Sequence, residues 1–208
     1  MSASAFATAT PADFARIGPG LRNPVLGAQQ CFRAVLDATA HPGRIVEMGG
    51  LLEGPVPAPL GEAAAVVALT LCDLDTPVWL DATLSPVAHY LAFHCGSPVV
   101  ATPGAARFAF ISDPAALLPL ERFALGTDEY PERSTTLVIA ADDITDRGGV
   151  ALRGPGILGD TSFGVAGLPS GFWAQRQALA ELFPRGLDLQ FTCGARLAAV
   201  PRSTQVVA

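Results

Sequence analysis

The sequence predicts a single α/β domain in which helices cover a mixed β-sheet. Helical and strand patterns alternate along most of the chain, which is typical of strands joined by helical connections. Two further strand patterns, 187–193 and 196–201, close the chain around the short turn 194–195 and predict a hairpin. Hydrophobic residues make up 50% of the 208 residues and charged residues 15%, which is enough apolar surface for a sizeable core.

The first predicted helix spans 23–40. Asn23 is a suitable N-cap, and Pro24 suits the first helical position because its missing N–H has no helical partner there. Apolar residues at three- and four-residue spacing predict the stripe that faces the core. These residues are Val25, Ala28, Phe32, Val35 and Leu36.

Three more helices are predicted. The segment 61–72 is apolar on nearly all sides and is expected to be sandwiched within the fold. The segment 85–95 begins with Ser85 as N-cap and Pro86 at the first position, and Ser170 caps the helix 170–183. The remaining strands are predicted at 44–48, 76–80, 106–111, 135–141 and 149–154.

Charge and composition exclude several function classes. The net charge is −6 and all 13 basic residues are arginine, so neither nucleic acid nor an anionic membrane is an expected partner. Without lysine, the chain cannot supply a phosphate-loop lysine or a Schiff base to pyridoxal phosphate (PLP). No apolar run is long enough to span a bilayer and no export signal is evident, so the cytoplasm is the expected location. Residues 1–22 are predicted to form a flexible arm, and 23–208 the domain.

Metal, nucleotide and nucleophile motifs are incomplete. The four cysteines are far apart, without a CxxC pair, and are expected to be buried thiols. GPGILG (154–159) matches the GxGxxG pattern, but turn-forming residues follow it where a dinucleotide site needs a helix, so a glycine-rich turn is predicted. His89 and His94 face different ways on one predicted helix, and His41 follows a helix end, where a capping role is favoured over a catalytic one.

Four arginines are candidates for binding an anion. Arg44 and Arg153 lie at predicted strand ends beside glycine turns, a suitable place to bind phosphate oxygens. Arg196 and Arg202 are six residues apart and would share a face if their strand were continuous through Pro201. Surface ion pairing with the carboxylates is the alternative, and it is favoured because exposed arginines are common.

An Asp-x-Asp pair interrupts the apolar stretch LTLCDLDTPVWL (69–80). Asp73 and Asp75 fall where the second helix ends and a strand begins. Carboxylates at this spacing can share a divalent cation or act as base and acid. Short acidic side chains also accept hydrogen bonds from nearby backbone N–H groups at such junctions, and this structural interpretation is favoured.

Five segments resemble one known family. They are FRAVLDATAHPG, LTLCDLDTPVWL, FHCGSPVV, LRGPGI and PRGLDLQFTCGARLAAVPRST. Together they run in order from about residue 23 to 205 and resemble the H subunit (PhnH family) of the bacterial carbon–phosphorus lyase system for phosphonate breakdown. The resemblance implies a three-layer α/β/α fold similar to the large domain of PLP-dependent transferases but without the cofactor, in agreement with the absence of lysine.

The resemblance also implies a function within a complex. Family members form homodimers and assemble with the G, I, J and K subunits. With G, I and L, the system displaces adenine from ATP by the phosphonate, giving alpha-D-ribose 1-methylphosphonate 5-triphosphate. We therefore expect an assembly subunit that is not catalytic alone, with ATP as substrate of the complex. The alternative is a phosphonate- or nucleotide-binding enzyme subunit in which the four arginines and the Asp-x-Asp pair contribute to an active site.

Overall fold

The computed structural model describes residues 17–207. Residues 1–16 of the predicted arm lie outside the described part of the chain, while residues 17–22 contact the domain. The amide of Arg22 donates to the carbonyl of Leu51 at 2.8 Å, and Leu21 forms an isolated β-bridge with Leu52. Within 17–207, no helix is long and apolar enough to cross a membrane.

Residues 17–207 form four α-helices and nine strands. The helices are Pro24–Ala40 (α1), Glu62–Leu71 (α2), Ala88–His94 (α3) and Phe172–Ala180 (α4). The strands are Ile45–Glu47 (β1), Val78–Leu80 (β2), Phe108–Ile111 (β3), Thr136–Ala140 (β4), Asp143–Arg153 (β5), Thr161–Ala166 (β6), Asp188–Cys193 (β7), Arg196–Val200 (β8) and Gln205–Val207 (β9). The prediction of a mixed α/β fold is confirmed.

The main sheet has six strands in the order β1-β8-β7-β4-β3-β2. Strands β2, β3, β4 and β7 pair in parallel, and β8 runs antiparallel to both β7 and β1. The predicted terminal hairpin is confirmed, since Cys193 pairs with Arg196 across the two-residue turn. A separate three-stranded antiparallel sheet has the order β6-β5-β9.

The two faces of the main sheet are covered differently. Helices α1, α2 and α3 pack on one face, where residues 63–68 of α2 are all buried, as predicted for a sandwiched helix. The other face is covered by α4 and by apolar side chains of the small sheet, including Ile144, Leu152 and Phe163. One outer layer is therefore largely β-sheet, which the predicted α/β/α arrangement did not include.

The predicted core stripe of α1 is wrong for three of its five residues. The side chains that face the core are Gly27, Cys31, Val35 and Ala38. Val25, Phe32 and Leu36 are instead 77%, 53% and 56% exposed. The helix buries its small residues because it approaches α2 and β8 closely, and this leaves the large apolar side chains facing outwards.

Two predicted helix starts are also wrong. Asp81, not Ser85, caps a 3-10 segment, Ala82–Val87, that contains Pro86 and leads into α3. Gly171, at φ 80°, precedes α4, and no side-chain hydrogen bond caps that helix. The cap predicted at Asn23 is confirmed, because its side chain accepts a 3.0 Å hydrogen bond from the amide of Leu26.

Candidate functional site

A polar cleft of about 270 Å³ forms where two glycine turns meet. One turn, 41–43, follows α1, and the other, 154–159, connects β5 to β6. Strand β6, and not a helix, follows the second turn, so the glycine-rich turn predicted for GPGILG is confirmed. Both basic and acidic side chains line the cleft; they are His41, Arg44, Asp146 and Asp160.

Gly156 allows the two turns to approach each other. It has a φ of 85°, and an ideal Cβ at this position would lie 1.9 Å from the carbonyl oxygen of Ala40 at the end of α1. Only a residue without a side chain permits this contact. The pattern therefore serves close backbone packing against α1, and the cleft lies beside that contact.

One carboxylate, that of Asp37, contacts both basic side chains of the cleft. The Nδ1 atom of His41 lies 3.0 Å from both the backbone carbonyl and the side-chain Oδ1 of Asp37. Arg44 donates from Nη1 to Asp37 at 3.0 and 3.3 Å. His41 is the C-cap residue of α1, so its contact with a terminal carbonyl matches the capping role predicted from the sequence. A proton on Nδ1 also leaves Nε2 with a lone pair, as a general base requires.

Arg153 forms a bidentate ion pair at the rim of the cleft. Its Nε and Nη2 atoms donate to the two carboxylate oxygens of Asp160 at 2.7 and 2.9 Å. The hydrogen bond raises the pKa of Arg153 and lowers that of Asp160. The guanidinium groups of Arg44 and Arg153 thus both have carboxylate partners within the chain, and an anion would have to share or displace them.

Arg202 is held by protein groups on three sides. It binds the carboxylate of Asp188 through Nε and Nη2, and its other contacts are the Pro131 carbonyl and the Ser134 hydroxyl. Its side chain is only 17% exposed. Because β8 ends at Val200, Arg202 does not continue the strand that contains Arg196.

Arg196 links the start of β8 to β5 of the small sheet. Its Nη2 donates to Asp143 at 2.8 Å and its Nη1 to the Ile144 carbonyl at 3.1 Å. The hydrogen bond from Arg196 lowers the pKa of Asp143. Each of the four candidate arginines therefore binds an aspartate of its own chain.

Asp73 forms a local turn at the junction between α2 and β2. Its Oδ1 accepts hydrogen bonds from the Asp75 amide at 3.0 Å and the Thr76 hydroxyl at 2.6 Å. These bonds, led by that from Thr76, lower the pKa of Asp73. Asp75 is exposed beside it. In the described part of the chain, no three His, Cys, Asp or Glu side chains come together to hold a metal ion.

The prediction that the cysteines are buried thiols is confirmed for two of the four. Cys31 and Cys72 are buried, whereas Cys95 and Cys193 are partly exposed. Burial raises the pKa of the Cys31 thiol and raises that of Cys95 to about 11. Burial raises the pKa of the Cys72 thiol as well. These three thiols are therefore protonated near neutral pH.

Sequence patterns missed two polar side chains that organise the fold. Asp81, directly after β2, accepts hydrogen bonds from backbone amides in the loop after β2 and in the loop after β3, including that of Ser112 at 2.6 Å. An aspartate followed two residues later by Thr83 is a pattern from which this cap could have been predicted. Arg176 in α4 is 1% exposed and donates to the carbonyls of Pro201 and Thr204. Nothing in a helical pattern marks an arginine as buried.

The outer face of α1 is apolar. Its large exposed side chains are Val25, Leu26, Phe32 and Leu36, each more than half exposed. Single exposed apolar residues are ordinary, but adjoining ones on one helix form a surface suited to contact with another protein. We call these four residues the α1 outer face.

Comparisons with known proteins agree along nearly the whole chain. The model of the family described as "Bacterial phosphonate metabolism protein (PhnH)" matches residues 19–207. The "Alpha-D-ribose 1-methylphosphonate 5-triphosphate synthase subunit PhnH" of Rhizobium meliloti (strain 1021) is 43% identical over 189 residues, covering 88% of this chain and 92% of that protein. The "Putative C-P lyase subunit protein HtxG" of Stutzerimonas stutzeri is 30% identical over 183 residues, covering 86% of this chain and 85% of that protein.

Proposed function

The chain belongs to the family of bacterial phosphonate metabolism proteins (PhnH), and from this premise we propose that it is a subunit of the carbon–phosphorus lyase machinery. It supports transfer of a phosphonate to the ribose of ATP with release of adenine, in the synthesis of alpha-D-ribose 1-methylphosphonate 5-triphosphate. The observation that carries this proposal is the 43% identity to a synthase subunit, which extends over 92% of that protein.

The role that the geometry supports best is assembly. The four candidate arginines are bound to Asp37, Asp160, Asp143 and Asp188 of the same chain. Asp73 is engaged in its own turn. By contrast, the α1 outer face presents adjoining apolar side chains to solvent, and burial of such side chains is the main driving force of protein association.

The partners and cofactors follow from the family. We propose that the chain forms a homodimer and assembles with the G, I, J and K subunits, with L joining for the first reaction, in the cytoplasm. We further propose the fold of the large domain of PLP-dependent transferases without its cofactor. The absence of lysine from all 208 residues supports the loss of PLP, because no side chain is present to form the Schiff base.

Reconstitution tests the assembly role directly. Adenine release from ATP and methylphosphonate is measured with the G, I and L subunits, with and without this chain. We expect adenine release to stop when the chain is omitted and to return when it is added back. Undiminished release without the chain would contradict the proposal.

A matched pair of variants separates assembly from catalysis. Phe32→Ser with Leu36→Ser removes two side chains of the α1 outer face, while Phe183→Ser removes an apolar side chain that is 62% exposed elsewhere on the surface. We expect the first variant to weaken co-purification with the other subunits by tenfold or more, with little change in its own unfolding midpoint. The second is expected to behave as the natural chain does. Equal behaviour of the two variants would exclude the α1 outer face as the contact surface.

The polar cleft favours the alternative, a phosphonate- or nucleotide-binding subunit. Arg44 and His41 share one carboxylate there, and a phosphonate oxygen would compete with Asp37 for the same N–H groups. Calorimetry of the chain with Mg-ATP and with methylphosphonate measures this competition. Heat that saturates and is lost in Arg44→Gln would favour the alternative, as would abolished turnover in Asp73→Asn, Asp75→Asn or Arg202→Gln complexes that still assemble. No heat at millimolar ligand favours the assembly role.

A further inference from the structure

The two basic side chains of the polar cleft keep groups that can bind a ligand. His41 and Arg44 both line the cleft, and their side chains are 44% and 51% exposed. The His41 ring directs Nδ1 at two oxygen atoms of Asp37, the backbone carbonyl and Oδ1. Both oxygens are acceptors, so Nδ1 carries the proton. The Nε2 atom of the neutral ring is therefore an acceptor with a lone pair.

The Nε2 atom of His41 is open to a ligand. No group among residues 17–207 forms a hydrogen bond with this atom, and the atom is accessible to solvent. Asp37 lies against Nδ1 and does not line the cleft, so the part of the ring that faces the cleft is the part that carries Nε2. A ligand in the cleft can therefore reach this lone pair.

Arg44 places a cation beside this acceptor. His41 Nδ1 and Arg44 Nη1 both lie 3.0 Å from the same oxygen, Oδ1 of Asp37. Within the described part of the chain, Arg44 binds Asp37 through Nη1 alone, and its Nε and Nη2 donors are unpaired. A guanidinium binds two oxygens of an oxyanion through such a pair of donors. An oxyanion can therefore use Nε and Nη2 in addition to competing for Nη1.

The charges around the cleft nearly cancel. Asp160 forms its bidentate pair with Arg153, and Asp37 pairs with Arg44. Asp146, the other carboxylate that lines the cleft, has the adjoining arginine at 3.9 Å. No large net charge therefore attracts an anion into the cleft, and binding must come from direct hydrogen bonds. Recognition depends on how well a ligand matches one acceptor beside one cation.

We propose, on the basis of the phosphonate- or nucleotide-binding function described above, that the cleft binds a phosphorus oxyanion that carries one proton. Its P–OH group donates to Nε2 of His41, and its anionic oxygens accept from Arg44. If the proton moves from the P–OH oxygen to Nε2, the charged ring donates to the dianion instead, so the complex holds one proton in either form. A sulfonate has the same shape but only acceptor oxygens, and the neutral ring excludes it.

Calorimetry of the full chain with methylphosphonate and methanesulfonate tests this recognition. The two anions match in shape, and only the phosphonate carries a proton. At about pH 7.5, where an ordinary histidine is mostly neutral, we expect saturable binding of methylphosphonate at one site per chain. Methanesulfonate should bind at least about tenfold more weakly. At about pH 6, a charged His41 can donate to either anion, and we expect the difference to shrink.

Two variants separate the roles of the two basic side chains. His41→Asn keeps a donor for the Asp37 carbonyl and removes Nε2. We expect it to lose the preference for methylphosphonate, with an unfolding temperature close to that of the natural chain. Arg44→Gln should weaken binding of both anions by about tenfold. His89→Asn, on α3 and outside the cleft, is the matched control and should keep the natural preference.

Inorganic phosphate distinguishes the two sources of such an oxyanion. It carries a proton but has no alkyl group, whereas Pro42, Ile157 and Leu158 give the cleft an apolar wall. We expect methylphosphonate to bind more tightly, which would identify a phosphonate as the ligand. Tighter binding of inorganic phosphate would identify free phosphate, and it would equally support a site for a protonated phosphorus oxyanion.

Three results would overturn the proposal. They are the absence of saturable methylphosphonate binding at either pH, equal binding of the two anions at about pH 7.5, and an unchanged preference in His41→Asn. Equal binding would reject the role of His41 and leave a general anion site, whereas no binding would also remove support for the phosphonate-binding function. Because the isolated chain is used, none of these results affects the outcome of the reconstitution experiment.

Discussion

At the scale of single residues, aspartates determine how the loops of this protein are held. Asp81 illustrates this most clearly: its carboxylate accepts from the amides of Thr83, Leu84, Ser112 and Asp113. Burial by itself raises the pKa of Asp81, but these hydrogen bonds outweigh burial and lower it below the ordinary 3.8. The loop after β2 and the loop after β3 thus depend on one ionised carboxylate.

Asp81→Ala should reduce the free energy of unfolding by about 1–3 kcal/mol at pH 7, because several amides lose their acceptor. Since the pKa is lowered in the folded state, the ionised Asp81 stabilises the protein above its unfolded pKa. That contribution is lost as the pH falls through the folded value, below about 3.8. Urea unfolding of the natural chain and of Asp81→Ala at pH 7 and pH 3 measures this. The difference between the two proteins should shrink at pH 3, and a constant difference would contradict the assignment.

The candidate arginines show which contacts residue spacing can predict and which it cannot. The sequence correctly marks Arg44 and Arg153 as neighbours of glycine turns, and the structure brings both turns to one cleft. It does not reveal their partners, because Asp37 and Asp160 are each seven residues away from the arginines they bind. The pairing depends on how the turns fold back, which spacing alone does not encode.

At the scale of elements, α1 shows why an amphipathic pattern does not determine which face is buried. The predicted stripe lies partly along the boundary between the core and the solvent, and burial is decided by the close approach of α2 and β8. Small side chains such as Gly27 and Ala38 permit that approach. A hydrophobicity pattern gives such residues little weight, so it placed Phe32 in the core.

The turn 154–159 offers a matched test of backbone packing. Gly156 and Gly159 both have positive φ, at 85° and 74°, but an added Cβ meets the Ala40 carbonyl only at Gly156. Gly159→Ala should cost about 1–2 kcal/mol for the left-handed conformation. Gly156→Ala should cost more, because α1 or the turn must also move.

Chemical denaturation of both glycine variants measures the difference. A larger fall in the unfolding midpoint is expected for Gly156→Ala. Equal falls would mean that the turn moves away from α1 without cost, and the polar cleft would then have no fixed wall.

At the scale of the whole molecule, Arg202 joins segments that are distant in the chain. It links the end of β8 to the start of β7 through Asp188 and to the loop at 131–134 through a carbonyl and a hydroxyl. Arg176 reaches the same region from α4. Together these two arginines link the segments that meet at the end of the sheet where the parallel strands begin.

Arg202→Ala should reduce the free energy of unfolding by about 1–3 kcal/mol, because the partly buried carboxylate of Asp188 loses its side-chain donors and keeps only the backbone amide of residue 202. Asp188→Ala alone should also destabilise the protein, and the double variant should lose less than the sum of the two. A double-mutant cycle by urea unfolding measures this coupling. Additive losses would show that the two side chains act independently.

The sequence by itself determined the mixed α/β class, most of the strands, the terminal hairpin and the cap at Asn23, because these depend on residues close together in the chain. The sequence also identified the family to which the chain belongs. The tertiary structure alone decided which face of α1 is exposed, how the small sheet covers one side of the main sheet, and that the turns 41–43 and 154–159 meet at one cleft. These features arise from contacts between segments far apart in the chain, and local periodicity carries no information about such contacts.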